Sequence, residues 1–165
     1  MKKLLFLMFI SVSSYAQTCL DDVNETADEA QFVVNTDGTA THTASGLMWM
    51  RCSVGQTYSA ESCVGEADEL NWQQALEEAH GYTFAGYSGW RVPNLKELAT
   101  LTERACVRPA INETVFPNTL SDDYWTSTPS LLDANRAWVV AFFNSSNALK
   151  EKSLFVYTRL VRTVD

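Results

Sequence analysis

The sequence predicts an α+β domain: two short helices packed on antiparallel sheet, with a long ordered loop between them and the last strands. Three observations carry this reading. A turn-forming quartet, Asn35-Thr36-Asp37-Gly38, separates two β-prone runs, Phe32-Val33-Val34 and Thr39-Ala40-Thr41. Two stretches near the middle repeat apolar residues at helical spacing behind an asparagine cap. Four β-prone runs then close the chain after a stretch with little periodicity. Sheet-forming segments that flank helices instead of alternating with them favour α+β over a parallel α/β sheet.

Length and charge narrow the possibilities. A chain of 165 residues is the size of one ordinary domain. Hydrophobic residues make up 46% and charged residues 19%, the composition of a globular protein. The formal charge of −8 lacks the basic excess by which nucleic-acid binders neutralise phosphates, so no nucleic-acid partner is expected. No apolar run reaches the roughly 18 residues needed to cross a bilayer, so no membrane insertion is expected once a leader is removed.

Met1-Lys2-Lys3 is a short basic start, Leu4 to Ile10 is apolar, and Ser11 to Ala16 turns small and polar with Ser14 and Ala16 two apart. That layout predicts a cleaved secretory signal over residues 1–16, of bacterial style, and a secreted or periplasmic protein. Residues 17–30 follow as an acidic N-terminal segment, extended and pinned by Cys19, and residues 31–165 form the domain proper. Residues 17–80 hold twelve acidic side chains against Arg51 alone, which predicts a strongly negative face on the folded domain.

All four cysteines lie beyond the leader, and export to an oxidising compartment makes two disulfides the expectation. Four cysteines allow three pairings. Cys52 and Cys63 flank a glycine-containing polar stretch that suits a local bridge, which leaves Cys19 with Cys106. No Cys-x-x-Cys occurs and the two histidines stand apart, so the cysteines do not read as zinc ligands.

The elements follow in order. Leu47-Met48-Trp49-Met50 reads as a buried strand. Asn71 caps a helix carrying Trp72, Ala75, Leu76 and Ala79 at i, i+3, i+4 and i+7, and Gly81 ends it. Asn94 caps a second helix with Glu97 in capping-box position and Leu95, Leu98, Ala99 and Thr102 on one face. Residues 107–123, with Pro109 and Pro117, form the long loop. Tyr124 to Thr128, Ala137 to Phe143, Ala148 to Lys152 and Val156 to Val164 read as strands, with Asn144 to Asn147 turning between two of them.

Several ordered strings resemble one known family. They include Gly46-Leu47-Met48-Trp49, Trp72-Gln73-Gln74-Ala75-Leu76 and the run from Gly86 through Trp90-Arg91-Val92-Pro93-Asn94 to Leu98. Pro109-Ala110-Ile111-Asn112, Phe116-Pro117-Asn118-Thr119, Tyr124-Trp125-Thr126-Ser127-Thr128, Ala137-Trp138-Val139-Val140 and Arg159-Leu160-Val161-Arg162 complete the set. From about Phe32 to Arg162 the chain resembles the Lcl C-terminal domain family, the C-terminal domain of a bacterial collagen-like adhesin, which is distantly similar to C-type-lectin-like domains. The resemblance implies a C-type-lectin-like fold and an extracellular binding or adhesion module without catalytic activity, whose partner is a glycan or a surface protein. Sulfated polyanions, the ligands that the resemblance suggests, conflict with the negative charge of this chain.

The candidate ligand contacts are Tyr82 and Tyr87 in the aromatic stretch between the helices, and Asn118, Asp122 and Asp123 on or next to the long loop. Asp122 and Asp123 are oxygen donors, which makes calcium the one candidate cofactor, although calcium wants six to eight oxygens. Trp49, Trp72, Trp125 and Trp138 lie on regular elements and are assigned to packing, with Trp90 also structural. No Gly-x-Ser-x-Gly is present and His42 and His80 are the only histidines, so no catalytic residue is assigned. Two alternatives remain beside the binding module: a structural subunit of a surface assembly, and a secreted hydrolase built on paired carboxylates.

Overall fold

The computed structural model describes residues 16–164. All but the last residue of the expected export signal lies outside them. The fold is α+β, with two helices, antiparallel sheets and two disulfides.

The polypeptide starts with a two-residue strand, β1 (Thr18–Cys19), and a single 3₁₀ turn at Glu29–Gln31. A four-stranded sheet is then begun by β2 (Phe32–Val34), β3 (Thr39–His42) and β4 (Leu47–Met50). The β2–β3 hairpin forms at the expected quartet, where Asp37 accepts from the backbone N and hydroxyl of Thr39 and Gly38 takes φ +88°. A small ribbon follows, β5 (Thr57–Ser59) with β6 (Ser62–Val64), which the sequence reading missed. Its two-residue loop, Ala60-Glu61, has both residues at positive φ. That geometry usually advertises itself by Asn-Gly or Asp-Gly, and here no such signal exists.

Helix α1 (Trp72–Ala79) and helix α2 (Leu95–Ala99) each start with a complete capping box, Asn71 with Gln74 and Asn94 with Glu97. Thr102 was expected on the face of the second helix, but α2 stops earlier. The hydroxyls of Thr100 and Thr102 bond back to carbonyls of the last turn, and Thr102 pairs instead with Ile111. Strand β7 (Cys106–Val107) pairs with β1, and the long loop leads on to β8 (Asp123–Pro129), β9 (Arg136–Ala141) and β10 (Ser146–Glu151). The last strand, β11 (Val161–Thr163), joins β4.

Two principal sheets result, ordered β11-β4-β3-β2 and β10-β9-β8. The expectation of one long final strand over 156–164 is corrected. Residues 156–160 instead connect the sheets: Tyr157 accepts from the backbone of Trp125, Thr158 from Val54 and Leu160 from Met50.

Alternation along the strands divides the interior into two clusters. Trp49, Tyr124 and Val140 face one, with Leu98 of α2, Phe116 and Phe142. Met48, Met50, Trp125 and Val139 face the other, with Ala75 and Ala79 of α1 and with Trp90. Both faces of the sheet layer are therefore covered. Cys19 is bonded to Cys106 and Cys52 to Cys63, as the spacing favoured.

Candidate functional site

The long loop is held from beneath by two buried arginines. Arg51 donates from Nε to the carbonyl of Val115 at 2.8 Å and from Nη2 to that of Thr114 at 3.0 Å. It also bonds to the Tyr58 hydroxyl. Arg159 is wholly buried and donates to the carbonyls of Met50 and Arg51 and, at 2.7 Å, to the Thr119 hydroxyl. Its guanidinium lies over the ring of Phe116, 4.9 Å from the centroid. Burial pulls the Arg159 pKa down to about 10, although the neighbouring Tyr124 works against the shift. Tyr124, itself raised by burial, exchanges a hydrogen bond with Ser53 and accepts from the backbone of Leu120.

On the other side of the long loop, Glu103 is buried and its carboxylate accepts from the backbone N of Thr26 and of Ala27, each at 2.8 Å, and from Ala105. This anchors the acidic N-terminal segment beside the Cys19–Cys106 bridge. The sequence reading assigned Glu103 no role, because nothing local distinguishes it from a surface glutamate.

The five residues expected to touch ligand fall in three places. Tyr82 and Tyr87 are half-buried and pack on the second core cluster. The phenol of Tyr82 is pushed up by burial and by Glu78 and Asp68, and Tyr87 lies under the Arg162 guanidinium at 5.1 Å. Asn118 is exposed, yet its Nδ2 donates to Ser62 Oγ at 3.0 Å and to the Cys63 carbonyl at 2.7 Å. Asp123 is ion-paired with Lys150 at 2.5 Å, and Asp122 accepts from the backbone of Asp123. Much of their polar capacity is thus engaged within the domain. Among the described residues, no three His, Cys, Asp or Glu side chains are grouped as a metal site would require.

A different place collects unengaged groups. An open groove of about 1220 Å³ runs between α1 and the loop that precedes β9 together with the end of β10. One wall is α1 with its cap, contributing Trp72, Gln73, Leu76, Glu77 and His80, and the other holds Asn135 and residues 151–153. The walls are tied together. Lys152 donates from its backbone to Asn135 and from Nζ to Ala134, both at 2.8 Å, and accepts at its own carbonyl from Trp72 N at 3.0 Å. The Trp72 indole is fixed by Nε1 donating to the Thr126 carbonyl at 2.8 Å, with the Lys152 ammonium 4.1 Å from the ring centroid.

Gln73 donates to Glu77 at 2.7 Å. The His80 ring, the Asn135 amide and the Glu151 carboxylate have no partner among the described residues. Trp72 was expected in the core with Trp49 and Trp125. Those two are buried, whereas Trp72 is half-buried and lines the groove, and Trp138 is half-buried as well. Trp72 does pack on the second core cluster, as expected, but it stays half-buried and also lines the groove.

The fold and the groove describe a disulfide-linked α+β domain with an open, mixed polar and apolar cleft. The chain belongs to the Lcl C-terminal domain family, whose family model matches residues 38–162. No curated protein matches it. Two disulfides fit an oxidising extracellular or periplasmic environment. Among the described residues no helix is long and apolar enough to cross a membrane.

Proposed function

We propose that this protein is an exported, non-catalytic binding or adhesion module that holds its ligand in the α1 groove. Residues 1–16 act as its export signal and are removed. The observation that carries the reading is the convergence of three unengaged polar side chains from three elements, His80, Asn135 and Glu151, on one open cleft. All three side chains are exposed, so their donors and acceptors are open to a ligand arriving from solvent. The order of strands, two helices, long loop and sheet supports the C-type-lectin-like reading of the fold.

The test is binding of the oxidised mature domain to isolated cell-envelope material, compared with an N135A/E151Q double variant. Retention of the wild type and loss of the variant support the module. Equal retention of both places the ligand elsewhere.

A second reading, a structural subunit, is favoured by a separate observation. Leu131 and Leu132, at the turn between β8 and β9, are each 98% exposed, and β2 and β10 each end a sheet without a partner strand. Sedimentation showing a stable assembly that an L131S/L132S variant disperses would favour it over the binding module.

A further inference from the structure

We infer that two copies of this chain associate edge to edge through β10, across a two-fold axis at Leu149. This rests on the reading of the protein as a structural subunit and names its partner, a second copy.

The two principal sheets leave one long edge open. Among the described residues, β8 is closed on its outer side by Tyr157 and Pro93, whose carbonyls accept from the backbones of Trp125 and Ser127, and its register shifts before Pro129. Strand β11 is closed by Arg91, which exchanges two backbone bonds with Val161. Strand β2 has three residues, and the N–H of Phe32 is taken by Glu29. Strand β10 runs for six residues in unbroken register with β9 and holds no proline.

The backbone bond from Lys152 N to the Asn135 carbonyl fixes the phase of that ladder. Even-numbered residues of β10 exchange their bonds with β9, so the N–H and C=O groups of Asn147, Leu149 and Glu151 point to the open side. Of these groups only the Glu151 carbonyl has a partner among the described residues, the N–H of Leu154. Edges are commonly guarded by a lysine standing beside them. Here Lys150 is drawn back across β9 to Asp123 of β8, at 2.5 Å, and leaves the edge uncovered.

The residues of β10 complement themselves. In an antiparallel pair centred on Leu149, that residue meets its own copy, Asn147 meets Glu151, and Ala148 meets Lys150. No like charges face each other, and the Asn147 amide donates to the Glu151 carboxylate. Moving the axis on to Lys150 sets two lysines against each other. Moving it back to Ala148 leaves Glu151 beyond the end of the facing strand. Leu149 stands opposite the half-buried Trp138, so the central register joins two Trp138–Leu149 rows into one apolar stripe. Two three-stranded sheets become one continuous sheet with an isologous contact. A foreign strand would find the same backbone groups without this match of charge and size.

Sedimentation velocity of the oxidised mature domain from roughly 1 μM to 1 mM tests this, because a single strand pair is a small interface. The expected result is a reversible dimer that Leu149→Pro weakens roughly tenfold or more. The N–H lost in that variant points outward, so the monomer gives up no hydrogen bond and its Tm should stay near wild type. Leu149→Cys should yield a disulfide-linked dimer on oxidation, since directly opposed residues of a hydrogen-bonded pair lie about 5.5 Å apart at Cα. Ala148→Cys, which faces Lys150, should not. If L149P fails to fold, the two cysteine variants decide alone. A dimer that L149P leaves intact, or that A148C links in place of L149C, overturns the inference. If L131S/L132S then disperses that dimer, the structural subunit stands with a different contact. A chain that is monomeric throughout overturns both.

Discussion

Arg159 donates from Nη2 to the hydroxyl of Thr119 at 2.7 Å across 40 residues of sequence, and both side chains are buried. With Arg51, it makes the long loop an ordered part of the fold instead of a surface excursion. Among the described residues neither guanidinium is paired with a carboxylate: Arg51 donates to carbonyls and a hydroxyl, and Arg159 does so from its two terminal nitrogens, while its buried Nε has no partner. Replacing Arg159 with alanine leaves the Thr119 hydroxyl and two backbone carbonyls without this donor and opens a cavity, so a loss of about 3–5 kcal/mol is expected. Lysine cannot span the same acceptors and should rescue little. Urea unfolding of R159A, R159K and R159M checks this; R159M, which refills the volume, should lose less than R159A.

Asn118 has a structural duty that a ligand residue would not need. Its amide ties the long loop to β6 at the Cys63 carbonyl, and its φ is +52°. Asn118→Ala should cost about 1–3 kcal/mol, from an orphaned buried acceptor and strain at positive φ. Thermal unfolding measures that loss. An unchanged Tm together with lost ligand binding would restore Asn118 to the binding surface.

The pair of Arg91 and Glu97 gives the domain a defined acid sensitivity. The Arg91 guanidinium meets both Glu97 oxygens, at 2.7 and 2.8 Å, and holds the carboxyl below its usual range. A lowered folded-state pKa means stability that is complete above the unfolded value and is lost as pH falls through the folded one. Glu97→Gln keeps an acceptor for the Asn94 backbone and removes the charge. Its Tm should therefore lie below wild type at neutral pH, by a modest amount because Arg91 is 42% exposed. The two should converge in acid. Parallel curves across pH would remove the ion pair from the account.

The two disulfides should contribute unequally. Cys19–Cys106 closes a separation of 87 residues and Cys52–Cys63 one of 11. The chain-entropy model gives about 4–5 kcal/mol for the first and about 3 for the second. Denaturant midpoints of the C19S/C106S and C52S/C63S variants test the order. Glu103 still holds residues 26 and 27 when the long bridge is gone, so C19S/C106S should retain a folded domain, and adding E103Q to it should lower the midpoint further.

Much of the fold was legible because its signals are local. Both helix starts are written in four residues each, Asn71 to Gln74 and Asn94 to Glu97, since a cap needs only its own first turn. The first hairpin needs only a turn and two β-prone flanks; spacing favoured one of the three disulfide pairings, and the structure decided it. The β5–β6 ribbon was hidden because alanine and glutamate occupy positive φ there without advertising it. The segment 156–160 read as a strand, since its apolar pattern is that of buried extended chain, and its partners in two sheets lie far off in sequence.

Family membership and cysteine chemistry were therefore fixed by residue identity alone, through short motifs that keep their meaning in any context. The candidate site was decided only by tertiary structure. His80, Asn135 and Glu151 come from a helix end, a loop and a strand. They share a cleft because the β9–β10 register brings Arg136 beside Glu151 and Lys152 pins that corner to α1. Asp123, which reads as a ligand in one dimension, is claimed by Lys150 in three. Whether a polar side chain is free or spent depends on neighbours that the chain supplies from a distance.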